Sequence, residues 1–181
     1  MNKRGAAEIV SFWRQAGPQK WFERDDAFDL TIKSKFLAAH EAAARGELAT
    51  FADSAEGTLA LLILLDQFPR NMFRDNARAF ATDPLARTVA SAALARGFDQ
   101  ATDASMRQFF YLPFMHSELI ADQDRSVQLC AACGDTELEK FATEHRAIIA
   151  KFGRFPHRNR ALGRETTPGE LAFLEKGGFA R

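Results

Sequence analysis

Apolar residues recur every three or four positions along most of this chain, which is the spacing of one buried helix face. Ala7 to Gln15 carries Ile9, Val10, Phe12 and Trp13 on its apolar side, and Gly17-Pro18 interrupts it. Asp25 or Asp26 is placed to cap a long helix to Arg45. Phe28, Ile32, Phe36 and Ala39 step along that helix, and Gly46 stops it. Ser54 caps the next helix, which runs through Leu59–Leu65 to Phe68, where Pro69 is expected to end it. Leu59–Leu65 is apolar on every side, so this helix is expected at the centre. Asp83 as N-cap and Pro84 open a further helix, closed by Gly97. Met106 to Leu112 stops before Pro113, and Ser117 to Ala132 stops before Gly134. Thr136 and Glu139 predict a capping box for a helix ending at Gly153. Thr167-Pro168-Gly169-Glu170 opens a last short helix with the same device, and the tail from Lys176 to Arg181 is expected to fray.

The pattern predicts an all-α fold of about seven to eight helices, with short connections and hence antiparallel neighbours. No linker or composition break divides it, so one domain over residues 1–181 is expected, its core between about residues 7 and 175. Composition agrees: 32 Ala and 17 Leu stand against 3 Val and 6 Ile, which leaves little material for a sheet. The longest apolar run, Leu59–Leu65, is far short of the roughly 18 residues of a membrane span. The basic start Met1-Asn2-Lys3-Arg4-Gly5 is not followed by the apolar stretch of a secretory signal. Two cysteines do not make a disulfide framework. These features predict a cytoplasmic protein with no membrane partner; oligomeric state is not legible.

Charge adds one contrast. The 24 Lys and Arg residues balance 24 Asp and Glu, which argues against a nucleic-acid partner. The neutral total hides a sign change. Glu118 to Glu144 holds seven acids against Arg125 and Lys140, whereas Arg154 to Arg164 holds four arginines and His157 with no acid. Arginine forks suit phosphate or carboxylate, and the helix opening at Pro168 could add amide donors. The alternative is that these arginines pair with the acidic helix.

The candidate chemistry gathers at three prolines. Phe68-Pro69-Arg70-Asn71 returns as Phe155-Pro156-His157-Arg158-Asn159, and Leu112-Pro113-Phe114-Met115-His116 lies between them. The prolines step by 44 and 43 residues, as in arrays of helical hairpins. The polar set is Asp66, Gln67, Arg70, Asn71, His116, Ser117, Glu118, His157, Arg158 and Asn159. Asp66 lies four residues before Arg70, within pairing reach if the helix persists past Phe68. Tyr111 is the one Tyr among 20 aromatics, so its hydroxyl is expected to have a specific partner. The same residues would equally serve as satisfied polar groups at helix ends.

Other motifs are weak. Cys130-Ala-Ala-Cys133 lacks the context of a thioredoxin-like redox motif and reads as core packing. His40-Glu41 lacks the second histidine of a helical zinc site, and no metal or cofactor is predicted. Ser117 would need His116 or His157 as a base to act as a nucleophile. His145 is expected on a solvated or interhelical face.

Taken together, Phe12-Trp13, Trp21-Phe22, Leu65-Asp66-Gln67-Phe68-Pro69-Arg70-Asn71, Ala79-Phe80-Ala81-Thr82-Asp83-Pro84, Leu112-Pro113-Phe114-Met115-His116-Ser117-Glu118 and Gly153-Arg154-Phe155-Pro156-His157-Arg158-Asn159 resemble the bacterial "domain of unknown function 924" family, from about Ile9 to Phe173. The resemblance implies an all-helical, tetratricopeptide-like fold and no established reaction.

Three functional expectations follow. In the first, Arg70 and Arg158 bind a small anion or the acidic end of a peptide. Asn71, His116 and Asn159 orient it, and Trp13, Trp21 and Tyr111 form walls. In the second, an enzyme uses His116 or His157 as acid/base, with Glu118 or Asp66 orienting it. The third is an interaction scaffold without a pocket, whose arginines are saturated by protein groups.

Overall fold

The computed structural model describes residues 3–178, and every regular element among them is helical. Seven helices have eight or more residues: α1 (Lys3–Phe22), α2 (Asp26–Ala44), α3 (Ala55–Leu62), α5 (Asp83–Ala95), α8 (Ile120–Cys133), α9 (Thr136–Phe152) and α10 (Pro168–Glu175). Three shorter turns, α4 (Phe68–Met72), α6 (Ala104–Arg107) and α7 (Leu112–Met115), stand between them. The chain folds as two compact units. One holds the residues up to Arg74 with Arg78–Pro113, and the other holds Asp75–Ala77 with the residues from Phe114 onward.

The first unit is built around aromatic rings. At Gly17 the backbone leaves helical geometry (φ 76°, ψ 170°), and α1 kinks before Pro18. Only glycine adopts that conformation at no steric cost. The kink returns Trp21 to Trp13, where its indole N–H donates to the Trp13 carbonyl at 2.6 Å. Trp13 meets Phe68 edge-on at 5.5 Å, and Phe36 stacks on Phe68 at 4.9 Å. Leu59–Leu65 is buried throughout, as its uninterrupted apolar run predicts. Gly57 is fixed by space: a Cβ there would lie 2.2 Å from the Phe51 carbonyl oxygen.

Pro69 does not end its helix. The chain widens into a π-helical turn over Ile63–Gln67 and then continues as α4. Proline has no N–H, and its ring clashes with the carbonyl one turn back; the wider turn relieves the clash and leaves the missing donor to be supplied from elsewhere. The Phe68 N–H reaches the Ile63 carbonyl. The Leu64 carbonyl accepts from His40 Nδ1–H at 2.9 Å, and Leu65 accepts from the Thr82 hydroxyl at 2.5 Å. The Asp66 carbonyl accepts from Arg70. The side chains of α2, the Thr82 turn and α4 thus satisfy carbonyls that the altered register releases.

In the second unit α8 and α9 form a hairpin about Gly134-Asp135, and Ile148, Ile149 and Phe155 pack with Phe152 and Phe173. Two expected caps are displaced by one residue. Asp135, not Thr136, caps α9 by accepting from Glu137 and Leu138. Thr82, not Asp83, holds the cap position of α5, since the Asp83 carboxylate is engaged by Arg70. The capping box of Thr167 and Glu170 forms as predicted. Ser117 precedes α8, which begins at Ile120; its hydroxyl accepts from the Leu119 N–H and donates to Asp122. Of the tail expected to fray, Lys176–Gly178 form a turn and residues 179–181 lie outside the described residues.

Candidate functional site

All three prolines open a helical turn instead of closing one. Pro69 is second in α4, Pro113 is second in α7, and Pro156 is first in the 3-10 turn Pro156–Arg158. At Pro156 this suits proline, whose missing N–H is unused at the start of a turn; Pro69 instead follows the π-helical turn inside a continuous helix. The polar residues that follow are therefore held inside turns and are not left at helix ends.

The first unit contains Trp21, Asp66, Arg70, Asn71 and Tyr111 of the predicted set. Arg70 is fully engaged. Its fork binds both oxygens of Asp83 at 3.0 Å, and it lies 3.3 Å from Asp66 Oδ1. Burial disfavours the Arg70 charge, but Asp66 and Asp83 together outweigh it and raise its pKa. Asn71 donates to Asp29 at 2.7 Å, and Arg74 also pairs with Asp29. The Tyr111 hydroxyl donates to Asp99 at 2.9 Å, the specific partner expected of a lone tyrosine. Trp21 is part of the core. These residues hold one another, and Arg70 has carboxylates where an anionic ligand was expected.

The second unit brings together His116, Glu118, His157, Arg158 and Asn159, and adds His145, Arg164 and Glu170. Phe155 is the centre. The His145 ring meets it edge-on at 5.7 Å, the His157 ring lies 5.5 Å away, and the Arg158 guanidinium stands over it at 4.5 Å. His116 lies 6.4 Å from His145, ring to ring. Arg158 is buried, His116 and His145 are half-buried, and His157 is exposed.

Two carboxylates of this unit, Glu118 and Glu170, are committed to the scaffold. Glu118 accepts from the Phe155 N–H at 2.8 Å and from both Arg164 amino groups at 2.8 and 2.9 Å. Burial pushes its pKa up, but Arg164 and the Phe155 N–H more than offset this and hold it below the usual range. Glu170 is held down to about 2, by Arg154 first and the Thr167 N–H next. It also accepts from Asn159 Nδ2 at 3.3 Å. Arg164 therefore pairs with Glu118, the first acid of the stretch Glu118–Glu144, as the structural alternative expected, whereas Arg154 pairs with Glu170 outside it. The N-terminus of α10, expected to offer amides to a ligand, is filled by the Thr167 hydroxyl and the Glu170 carboxylate.

His145 donates Nδ1–H to the Phe141 carbonyl at 2.7 Å. Burial first, then the charges of His116, Arg158 and His157, push its pKa down to about 3. Burial holds it as a neutral imidazole. Its sequence setting beside Glu144 gave no sign of this, because the contact with His116 spans two separate elements.

The remaining motifs are not sites. Burial pushes the Cys130 thiol up to about 12, and Cys133 donates its thiol to the Cys130 carbonyl. Neither sulfur forms a disulfide. No group of three or more His, Cys, Asp or Glu residues among the described residues is placed to hold a metal. No helix among them is long and apolar enough to cross a membrane.

Residues 9–178 match the family described as bacterial protein of unknown function (DUF924). The chain belongs to that family. A solved protein of unknown function from Agrobacterium tumefaciens is similar over 96% of this chain and 98% of its own, at 53% identity and a TM-score of 0.93. Comparison with curated proteins gives no match.

Proposed function

We propose that this DUF924 protein binds a small oxyanion, a phosphate or a carboxylate, at the cluster of His116, His145, His157 and Arg158. The observation that carries this reading is the convergence of His145, His157 and Arg158 on the Phe155 ring, with His116 against His145. A buried guanidinium gives a fixed positive fork. Imidazoles beside it supply further hydrogen-bonding nitrogens. Glu118 and Glu170 in the same unit are tied to Arg164 and Arg154. Arg70 drops out of the expected ligand set for the reason given above. Two free thiols accord with a reducing, cytoplasmic setting.

A second reading, acid/base catalysis at the same cluster, is favoured by one observation. His145 is kept neutral and in one tautomer, as a general base must be. His116 would be its partner.

The test is titration calorimetry with inorganic phosphate, sulfate and acetate at millimolar concentration, on the wild type and on the double variant His116→Ala, His157→Ala. Both side chains reach solvent, so the fold should survive their loss. Saturable binding by the wild type that weakens tenfold or more in the variant supports the reading. Absence of binding by every anion overturns it.

A further inference from the structure

Residues 157–164 hold only the end of a 3-10 turn followed by irregular turns, and the buried residues among them are polar, Arg158 and Asn159. The chain on either side is anchored. Phe155 is fully buried with Ile148 and Ile149, and Phe173 of α10 packs on Phe152 at 5.1 Å. Arg154 closes the base of the loop. It donates to both oxygens of Glu170 at 2.6 and 2.8 Å and to the Glu165 carbonyl at 2.7 Å. Near the end of the loop, Arg164 reaches the chain before α8, where both its amino groups donate to Glu118 at 2.8 and 2.9 Å.

A segment with little apolar burial opens at a free energy below that of global unfolding. Two of its polar atoms oppose closure. Asn159 Oδ1 and Arg164 Nε are buried without a protein hydrogen-bond partner, and opening returns both to water. The bond given up between Asn159 Nδ2 and Glu170 is long, at 3.3 Å. Gly163, at φ 62°, allows the backbone to rotate at small steric cost. We propose that residues 157–164 form a strap that unfolds locally as one unit while α9 and α10 stay folded, and that Arg164 on Glu118 is its latch. His157 and Arg158 ride on the strap, so the cluster proposed above is complete only when the strap is shut; the opening itself needs no ligand. It exposes the side chains of Arg158 and Asn159, both buried in the closed form.

Native-state hydrogen exchange of the whole chain, followed residue by residue by NMR on the wild type and Glu118→Gln, tests this. The Leu162 and Arg164 amides are bonded inside the strap, to the carbonyls of Arg158 and Asn159 at 2.9 and 2.8 Å, and Ile149 lies within α9. In the wild type, Leu162 and Arg164 should share one opening constant, roughly tenfold or more above that of Ile149. Glu118→Gln keeps an acceptor for the Phe155 N–H and removes the charge that holds Arg164. It should raise exchange at Leu162 and Arg164 together, by about tenfold, and leave Ile149 unchanged. One opening constant for all three amides in the wild type overturns the strap, since only global unfolding then exposes them. Separate constants for Leu162 and Arg164 overturn its opening as a unit. No response to Glu118→Gln, or an equal rise at Ile149, overturns the latch. Should Glu118→Gln not fold, Arg164→Lys, which keeps the charge but loses the fork, takes its place with the same expected outcomes.

Discussion

His40 of α2 donates its Nδ1–H to the carbonyl of Leu64, a residue 24 positions away in the π-helical turn. Pro69 has no N–H to offer Leu64 five residues back, or Leu65 four residues back. His40 and Thr82 supply the missing donors from elsewhere in the unit. His40→Ala leaves one buried carbonyl unsatisfied and opens a cavity beside Phe73. The expected loss is about 2–4 kcal/mol of stability. Urea unfolding measures it, and a loss no larger than that of an ordinary surface change would show that the Leu64 carbonyl finds another donor.

Arg70 is a second support of the same turn. It bridges Asp66 at 1% exposure and Asp83 at 5%, so removing it takes an ion pair from each of two buried carboxylates. Arg70→Ala should cost about 3–5 kcal/mol. Phosphate titration of any folded fraction should give unchanged affinity, since Arg70 is not in the ligand set. A folded, fully stable Arg70→Ala that fails to bind phosphate would reverse this assignment.

Gly57 lies where α3 meets the 3-10 turn Ala49–Asp53. An added methyl would sit 2.2 Å from the Phe51 carbonyl oxygen, which is backbone and cannot rotate away. Gly57→Ala, elsewhere a helix-stabilising change, should here destabilise by roughly 2–3 kcal/mol. The sign alone is informative: a rise in melting temperature would mean that the two segments separate without cost.

The helices were legible because local pattern sets them. The faces of Phe28, Ile32 and Phe36, the central run Leu59–Leu65 and the box at Thr167 all follow from residues within a few positions of one another. The pairing of Asp66 with Arg70 was legible only on the condition that the helix persists past Phe68. The register at Pro69 was not legible, because it depends on donors from His40 and Thr82 at 24 and 17 residues' distance. The two Phe-Pro motifs look alike in sequence, yet one lies in an α-helix beside Asp83 and the other in a 3-10 turn. Similar strings met different neighbours, so Arg70 and Arg158 acquired different roles. His145 was missed for the same reason: its neighbours His116, His157 and Arg158 come from other elements.

The pH dependence of stability follows from the two inward histidines. Both have folded-state pKa values below that of the unfolded chain. For His145 burial dominates, helped by His116, Arg158 and His157, and the value is about 3. For His40 burial again dominates, helped by Arg78 and partly opposed by the bond to Leu64. A histidine with a depressed folded pKa takes up its proton first in the unfolded state. Its contribution is therefore full above the unfolded value of about 6.5, and it declines as pH falls towards the folded value. His145 alone should remove about 2 kcal/mol between pH 7 and pH 5, and His40 acts in the same direction. Carboxylates with depressed pKa values, such as Glu170 at about 2, do not act until lower pH. Urea unfolding at pH 7 and pH 5 on the wild type and His145→Gln separates the terms. The wild type should lose more stability over that interval than the variant. Equal losses would mean that His145 titrates normally in the folded protein.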